Sequence, residues 1–330
     1  MRQPTTTSAR STFNAALSLD DLRGVLLPFP TPFNSDGEFD PRALRSNIQK
    51  WNSAGIGGYV VLGSTGERVN LDEVEYLHVI EAARAEVPDG PEAPAFIVGA
   101  GQQSTRGTIN EIRRVAATLP VDGFLVITPH FYRSAITQQA LVDHYRAVAD
   151  NSPVPVILYS MPALTGIKIE PETAACLSEH ENIIGLKDSS ADLGELQKTI
   201  TLVRKDFAVL TGNGTVFHEG LRAGACGGIL AVGCVAPALC LAIFAAVESG
   251  ESDRGARLQA ALSPLAAAVT VRFGIGGLKA ALESRGYAGG PARTPLPMPD
   301  EAALEEIRRC LEEADSALQE LSAAKPGASH

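Results

Sequence analysis

The chain has 330 residues but only five cysteines, an odd number. Cys176, Cys226, Cys234, Cys240 and Cys310 form no C-x-x-C. That argues against a disulfide scaffold or a zinc ribbon, so reduced, buried thiols are expected. The six histidines show no H-x-x-x-H or other tight spacing, and no structural metal site is expected. No net positive charge is present: 28 Lys and Arg stand against 38 Asp and Glu, for a net charge of −10. A bulk nucleic-acid or anionic-membrane partner is therefore not expected, although a local site for a small anion is compatible with that balance.

An unbroken apolar run is also missing. The residues between Arg222 and Glu248 are uncharged over a length that would suit a membrane span. Gly224, Gly227, Gly228, Gly233 and Pro237 divide them, and a buried strand, a turn and a core helix fit better. The first 19 residues carry Arg2 and Arg10, many Ser and Thr, and no acid before Asp20. They read as a flexible extension over 1–20 of a cytoplasmic protein, with a mitochondrial transit peptide as the alternative.

What is present is a globular composition, 45% hydrophobic and 20% charged, on a chain long enough for a large core. Eight short β-rich runs recur: Gly24–Phe33, Gly57–Thr65, Ala95–Gly101, Gly123–Pro129, Val154–Met161, Ile183–Asp188, Phe207–Gly212 and Gly227–Val232. They are apolar throughout rather than alternating, as parallel strands covered on both faces require. Helical stripes lie between them: Leu44, Ile48 and Trp51; Ile109, Ile112 and Val115; Leu193, Leu196, Ile200 and Val203. Pro171 sits where a first helical turn tolerates proline. Eight such units predict an α/β fold, a (β/α)8 TIM barrel over 21–250. An open doubly wound sheet would want a G-x-G-x-x-G after its first strand, and none follows. A C-terminal helical region is expected over 251–330. Its stripe of Leu304, Ile307, Leu311, Ala314, Leu318 and Leu321 would pack on the barrel or on a neighbour.

Active sites of such barrels lie at the C-terminal ends of the strands. Lys187 is the unusual residue there. The chain has seven lysines, and this one closes the apolar run Ile183–Leu186. Desolvation favours a neutral amine, which is a nucleophile toward a carbonyl. The plainer reading pairs it with an acid such as Asp188. Tyr159, one strand away, offers a phenol for proton transfer, or simply a core tyrosine. The Gly63–Gly66 turn offers backbone N–H groups and two hydroxyls to a carboxylate or phosphate, or is a plain glycine turn. Gly212, Gly214, Gly227 and Gly228 fall where barrels often hold phosphate, although of the cations only Arg222 follows closely.

G-S-T-G-E, L-Y-S-M-P and G-L-K-D-S, on the second, fifth and sixth runs, resemble the dihydrodipicolinate synthase / N-acetylneuraminate lyase family. These are class I, pyruvate-handling Schiff-base lyases on a (β/α)8 barrel, and the resemblance spans roughly residues 21 to 300. Within the family the chain is most similar to 4-hydroxy-2-oxoglutarate aldolase, through Val156–Gly166, Lys187–Ser189, Arg272–Lys279 and Gly286–Pro291.

The resemblance implies that Lys187 forms the Schiff base and Tyr159 moves protons. It implies that Ser64 and Thr65 bind the pyruvate carboxylate and link to Tyr159, and that Gly212 and Ile229 line that half of the pocket through their backbones. Ser189 would contact the distal part of the substrate. No cofactor is implied beyond the covalent Schiff base on Lys187. The partners would be pyruvate, an aldehyde, and a second copy or three further copies of the chain. Two positions depart from parts of the family. Phe131 stands where many members place a tyrosine that reaches a neighbouring subunit, leaving Tyr132, His130 or water to relay protons. Leu164 stands where dihydrodipicolinate synthases carry an arginine for the far end of a semialdehyde, with Arg133 as a spare cation nearby.

The activity expected on this basis is cleavage of 4-hydroxy-2-oxoglutarate to pyruvate and glyoxylate. The alternatives within the family are dihydrodipicolinate synthase and a 2-keto-3-deoxy sugar-acid aldolase or dehydratase. Outside it stand a non-catalytic oxo-acid-binding paralogue and a phosphate-binding barrel isomerase.

Overall fold

The computed structural model describes residues 17–90 and 93–323. Eight strands pair in parallel, each with the next: β1 (Gly24–Leu27), β2 (Gly58–Val61), β3 (Ala95–Ala100), β4 (Gly123–Ile127), β5 (Val156–Ser160), β6 (Ile183–Asp188), β7 (Ala208–Thr211) and β8 (Gly227–Ile229). β8 pairs with β1 and closes the barrel expected from the sequence. At that seam Gly24 faces Gly227, and a Cβ on Gly227 would stand 2.7 Å from the Gly24 amide nitrogen, so the close approach needs glycine.

Most strands are shorter than the apolar runs that announced them. β1 stops at Leu27 because Pro28, Pro30 and Pro32 follow, and proline has no N–H for the ladder. In the other shortened strands the end of the run bends into the loops of the upper rim.

The strands read as continuously apolar because two cores share them. Leu26, Val60, Ile97, Leu125, Ile157, Tyr159, Leu210 and Ile229 fill the barrel interior. Val25, Leu27, Val61, Val98, Val126, Leu158, Leu186 and Val209 face outward into a second core with the helices. The N-terminal end of the interior is closed by Leu17 and Leu22, both buried in the inner cluster. Of the extension expected over 1–20, residues 1–16, which carry the suspected transit peptide, lie outside the described residues. Leu17 is a packed plug rather than a frayed end.

The helices between strands are α1 (Pro41–Trp51), α2 (Glu73–Arg84), α3 (Thr105–Thr118), α4 (Gln138–Asp150), α5 (Pro162–Thr165), α6 (Pro171–Ser178), α7 (Leu193–Leu202) and α8 (Phe217–Arg222). Each expected stripe supplies buried residues: Leu44, Ile48 and Trp51 on α1, Ile112 and Val115 on α3, Leu196 on α7. Pro171 opens α6. After β8 come α9 (Pro237–Glu248), α10 (Ser252–Ala267), α11 (Gly274–Ser284) and α12 (Glu301–Ala323). The uncharged stretch thus becomes β8, a turn and α9, and no helix among the described residues is long and apolar enough to cross a membrane. α12 buries Ile307, Leu311, Ala314 and Leu321 and packs on α10 and α11 of its own chain. All five cysteines are free; Cys234, Cys240 and Cys310 are buried, but Cys226 is half-buried and Cys176 exposed, contrary to the uniform burial expected.

Candidate active site

Lys187 is the penultimate residue of β6 and faces inward. Its ladder neighbours are Tyr159 on β5 and Leu210 on β7, both in the interior cluster. The side chain is 5% exposed, and Nζ lies 4.3 Å from the centroid of the Tyr159 ring. Among the described residues no carboxylate stands within ion-pair distance of Nζ. Asp188, the acid next door, points elsewhere: its carboxylate accepts hydrogen bonds from the Ser190 amide (2.8 Å) and hydroxyl (3.0 Å). Burial pushes the Asp188 carboxyl above its ordinary range, and the Ser190 hydrogen bonds oppose that. The pairing of Lys187 with Asp188 is therefore not made.

Tyr159 is itself buried, and its hydroxyl donates to Ser64 Oγ at 3.4 Å. Ser64 opens the turn that follows β2. The hydrogen bonds of that turn are donated by the Gly66 and Glu67 amides to the Gly63 and Ser64 carbonyls, so they do not engage the N–H groups of Ser64 and Thr65. Leu62 (φ 56°) and Glu67 (φ 55°) bracket the turn in the left-handed region. The third non-glycine residue of this kind among the described residues is Ala191 (φ 64°), in the loop after Lys187. Each such residue costs on the order of 1–3 kcal/mol, and such strain gathers at functional sites.

Gly212 follows β7 and lies against this cluster. A Cβ there would lie 2.6 Å from Lys187 Cε and would overlap Ser189 Oγ, so only glycine leaves room for both side chains. Among the described residues, Ser189 Oγ is buried without a hydrogen-bond partner, as is Thr128 Oγ1 just beyond β4. Ile229 on β8 contributes a fully buried side chain to the interior cluster that also holds Tyr159.

Lys187, Tyr159, Ser64, Ser189 and Gly212 are thus joined through these contacts at one end of the barrel, with Thr65 on the same turn as Ser64. Phe131 and Tyr132 are not joined to them. They are 73% and 71% exposed, and they pack edge to face on one another at 5.0 Å. Arg133 lies against Gly166, where a Cβ would be 3.2 Å from its Nη1. Leu164 is exposed.

The chemistry of this cluster is that of a desolvated amine beside a phenol, with free N–H groups opposite. Residues 21–314 match the Dihydrodipicolinate synthetase family. The chain belongs to that family. It is 35% identical over 292 residues to the 4-hydroxy-tetrahydrodipicolinate synthase of Haloarcula marismortui, covering 88% of this chain and 93% of the relative. It is 36% identical over 281 residues to the enzyme of the same name from Methanothrix thermoacetophila, covering 84% and 92%. The crystal structure of dihydrodipicolinate synthase from Thermotoga maritima superimposes with a TM-score of 0.82 at 31% identity, covering 89% of this chain and 98% of that one. As a member of the dihydrodipicolinate synthetase family the chain is a class I aldolase-type lyase. The relatives bear the synthase name, rather than that of the 4-hydroxy-2-oxoglutarate aldolase that the motifs resemble most.

One residue pair of the region escaped the sequence reading. Glu67, the last residue of G-S-T-G-E, is fully buried against Lys279, the last of the Arg272–Lys279 stretch, at 2.5 Å. The available signal was a lone lysine in the otherwise apolar run Ile275–Leu282.

Proposed function

We propose that the chain joins the enamine of pyruvate to an aldehyde, in the synthase sense of its relatives. The observation that carries this reading is the buried, carboxylate-free Lys187 amine stacked on the ring of Tyr159, whose hydroxyl reaches Ser64. Lys187 Nζ attacks the C2 carbonyl of pyruvate. Tyr159 protonates the departing hydroxyl, water leaves, and a protonated imine forms. The carboxylate is held by the N–H and hydroxyl groups of Ser64 and Thr65. The Tyr159 phenolate takes a C3 proton, which gives the enamine and restores the phenol. Its C3 attacks the aldehyde carbon, the new alkoxide takes a proton from Tyr159, and hydrolysis of the imine frees Lys187 and the product. The iminium is the electron sink, so no separate cofactor is assigned. Ser189, with its unengaged hydroxyl beside Gly212, contacts the distal part of the acceptor.

The relatives' name favours a semialdehyde as the acceptor. A specific observation favours a second reading, cleavage of 4-hydroxy-2-oxoglutarate to pyruvate and glyoxylate by the same steps in reverse. Leu164 is 63% exposed and uncharged at the position where the family resemblance implies an arginine in synthases, and Arg133 lies against the nearby Gly166. Phe131 and Tyr132 on the loop after β4 and Leu164 on α5 also leave exposed apolar surface, suited to a second copy of the chain in a dimer or tetramer.

Borohydride reduction in the presence of pyruvate, read by intact mass and peptide mapping, tests the shared step. One pyruvyl adduct on Lys187 is expected. Its absence from folded protein in excess pyruvate sinks both readings. Consumption of the enamine by a semialdehyde or formation by cleavage of 4-hydroxy-2-oxoglutarate then separates them.

A further inference from the structure

The Glu67–Lys279 pair links two distant parts of the chain at a strained point. Both side chains are fully buried, with Nζ 2.5 Å from Glu67 Oε1. Lys279 lies on α11, outside the eight βα units, and Nζ also donates to the Pro291 carbonyl at 2.7 Å. The other carboxylate oxygen, Oε2, accepts from the Arg293 amide (2.9 Å) and from Asn70 Nδ2 (3.3 Å). The Phe33 ring, from the loop after β1, lies under both Lys279 Nζ (4.4 Å) and the Arg293 guanidinium (4.2 Å). Thr31, from the same loop, donates to the Gly66 carbonyl at 2.7 Å. The turn carrying Ser64 and Thr65 is therefore gripped from the β1 loop, from α11 and from the segment Pro291–Arg293.

A buried ion pair is a poor stabiliser beside an apolar pair of the same shape, because both charges lose their water. What it does supply is direction. A carboxylate held at Oε1 by an ion pair and at Oε2 by hydrogen bonds restrains its own backbone, and here that backbone is left-handed and non-glycine (φ 55°) one residue after the turn. We propose that Glu67 and Lys279 are positioning residues for the oxo-acid reaction: the pair locks the left-handed Glu67 and so aims the free N–H groups and hydroxyls of Ser64 and Thr65 at the substrate carboxylate. The proposal rests on the reading of that turn as the carboxylate site.

The test measures the pyruvate concentration giving half-maximal borohydride trapping, with maximal trapping and thermal midpoint recorded alongside. Single replacements leave one buried charge alone and can fail to fold. The double variant Glu67→Gln/Lys279→Met leaves none. It is expected to fold, to keep maximal adduct on Lys187, and to need at least tenfold more pyruvate for half-trapping. Leu278→Ala, buried on the same helix, is the control for general loosening, and its half-trapping concentration is expected to stay within twofold of wild type.

An unchanged half-trapping concentration in the folded double variant overturns the proposal. So does an equal shift in Leu278→Ala. In the wild-type protein, pyruvate is expected to slow hydrogen exchange in 63–67 and in 278–281 together, and protection of the first segment alone also overturns it. Absence of any adduct on wild-type protein is a different result: it overturns the reading of the site, and the positioning role with it.

Discussion

Lys187 and Tyr159 face each other across the β5–β6 ladder, and the amine of one rests 4.3 Å above the ring centroid of the other. The ring face is an attractive surface for the amine head group. Tyr159 therefore holds Lys187 in place where no carboxylate among the described residues does. The same ring carries the hydroxyl that meets Ser64, so one side chain fixes the nucleophile and connects it to the opposite wall of the site.

Lys187→Met follows directly. Methionine keeps the volume of the buried stem and removes an amine that has no carboxylate partner. Burying such a group unpaired is costly, so the variant is expected to melt at or above the wild-type temperature. Its pyruvyl adduct is expected to vanish from the intact-mass spectrum after borohydride reduction. An adduct of undiminished yield would place the reactive amine elsewhere.

Tyr159→Phe isolates the hydroxyl. The ring under Lys187 remains, so the amine stays in position, and the lost hydrogen bond to Ser64 costs about 1 kcal/mol of stability. General acid–base help of this kind is worth about 10²–10⁴-fold. The rate of adduct formation at saturating pyruvate is expected to fall by about that factor. The final adduct yield is expected to survive. A rate within threefold of wild type would assign the proton transfers to another group.

The barrel, and the gathering of Lys187, Tyr159 and the Gly63–Gly66 turn at one end of it, were legible for a simple reason. Strands buried on both faces write themselves as continuous apolar runs, and Lys187 interrupts one of them at the end where barrels place chemistry. Gly212 was legible for the same positional reason, and its small size proves to be what Lys187 and Ser189 require. The Glu67–Lys279 pair was not legible, because 212 residues separate the partners (279 − 67) and neither breaks a pattern strongly enough to demand the other. Nor did the polar composition of the N-terminal segment reveal that Leu17 plugs the barrel floor. Burial of that kind is a property of the closed barrel and not of local sequence.

Leu164→Arg tests acceptor choice. Leu164 is exposed, and surface substitutions away from special features usually change stability by no more than about 0.5 kcal/mol. A guanidinium there restores the residue that the family resemblance implies for the synthases. The variant is expected to use a carboxylate-bearing semialdehyde at least tenfold better in kcat/KM, with half-maximal pyruvate trapping unchanged. An unchanged preference would mean that Leu164 lies outside the acceptor's reach.

A final prediction concerns acid. His144 on α4 is buried, with Nδ1 2.9 Å from Thr105 Oγ1 and no hydrogen-bond partner for Nε2 among the described residues. Burial lowers its pKa from 6.5 to about 4. A pKa lowered on folding means that the unfolded chain binds the proton more tightly. The stabilisation is therefore fully present above pH 6.5 and is lost as pH falls through about 4. A shift of this size corresponds to about 3 kcal/mol. His144→Phe removes the titration and keeps an aromatic ring against Tyr145, whose ring centroid lies 5.1 Å away. Urea unfolding at a series of pH values is expected to show the wild-type protein losing stability faster than the variant between pH 6.5 and 4. Carboxylates that titrate in the same window act equally on both proteins, so the difference between the two curves belongs to His144. Parallel curves would show that its ring takes up a proton in the folded state as readily as in the unfolded chain.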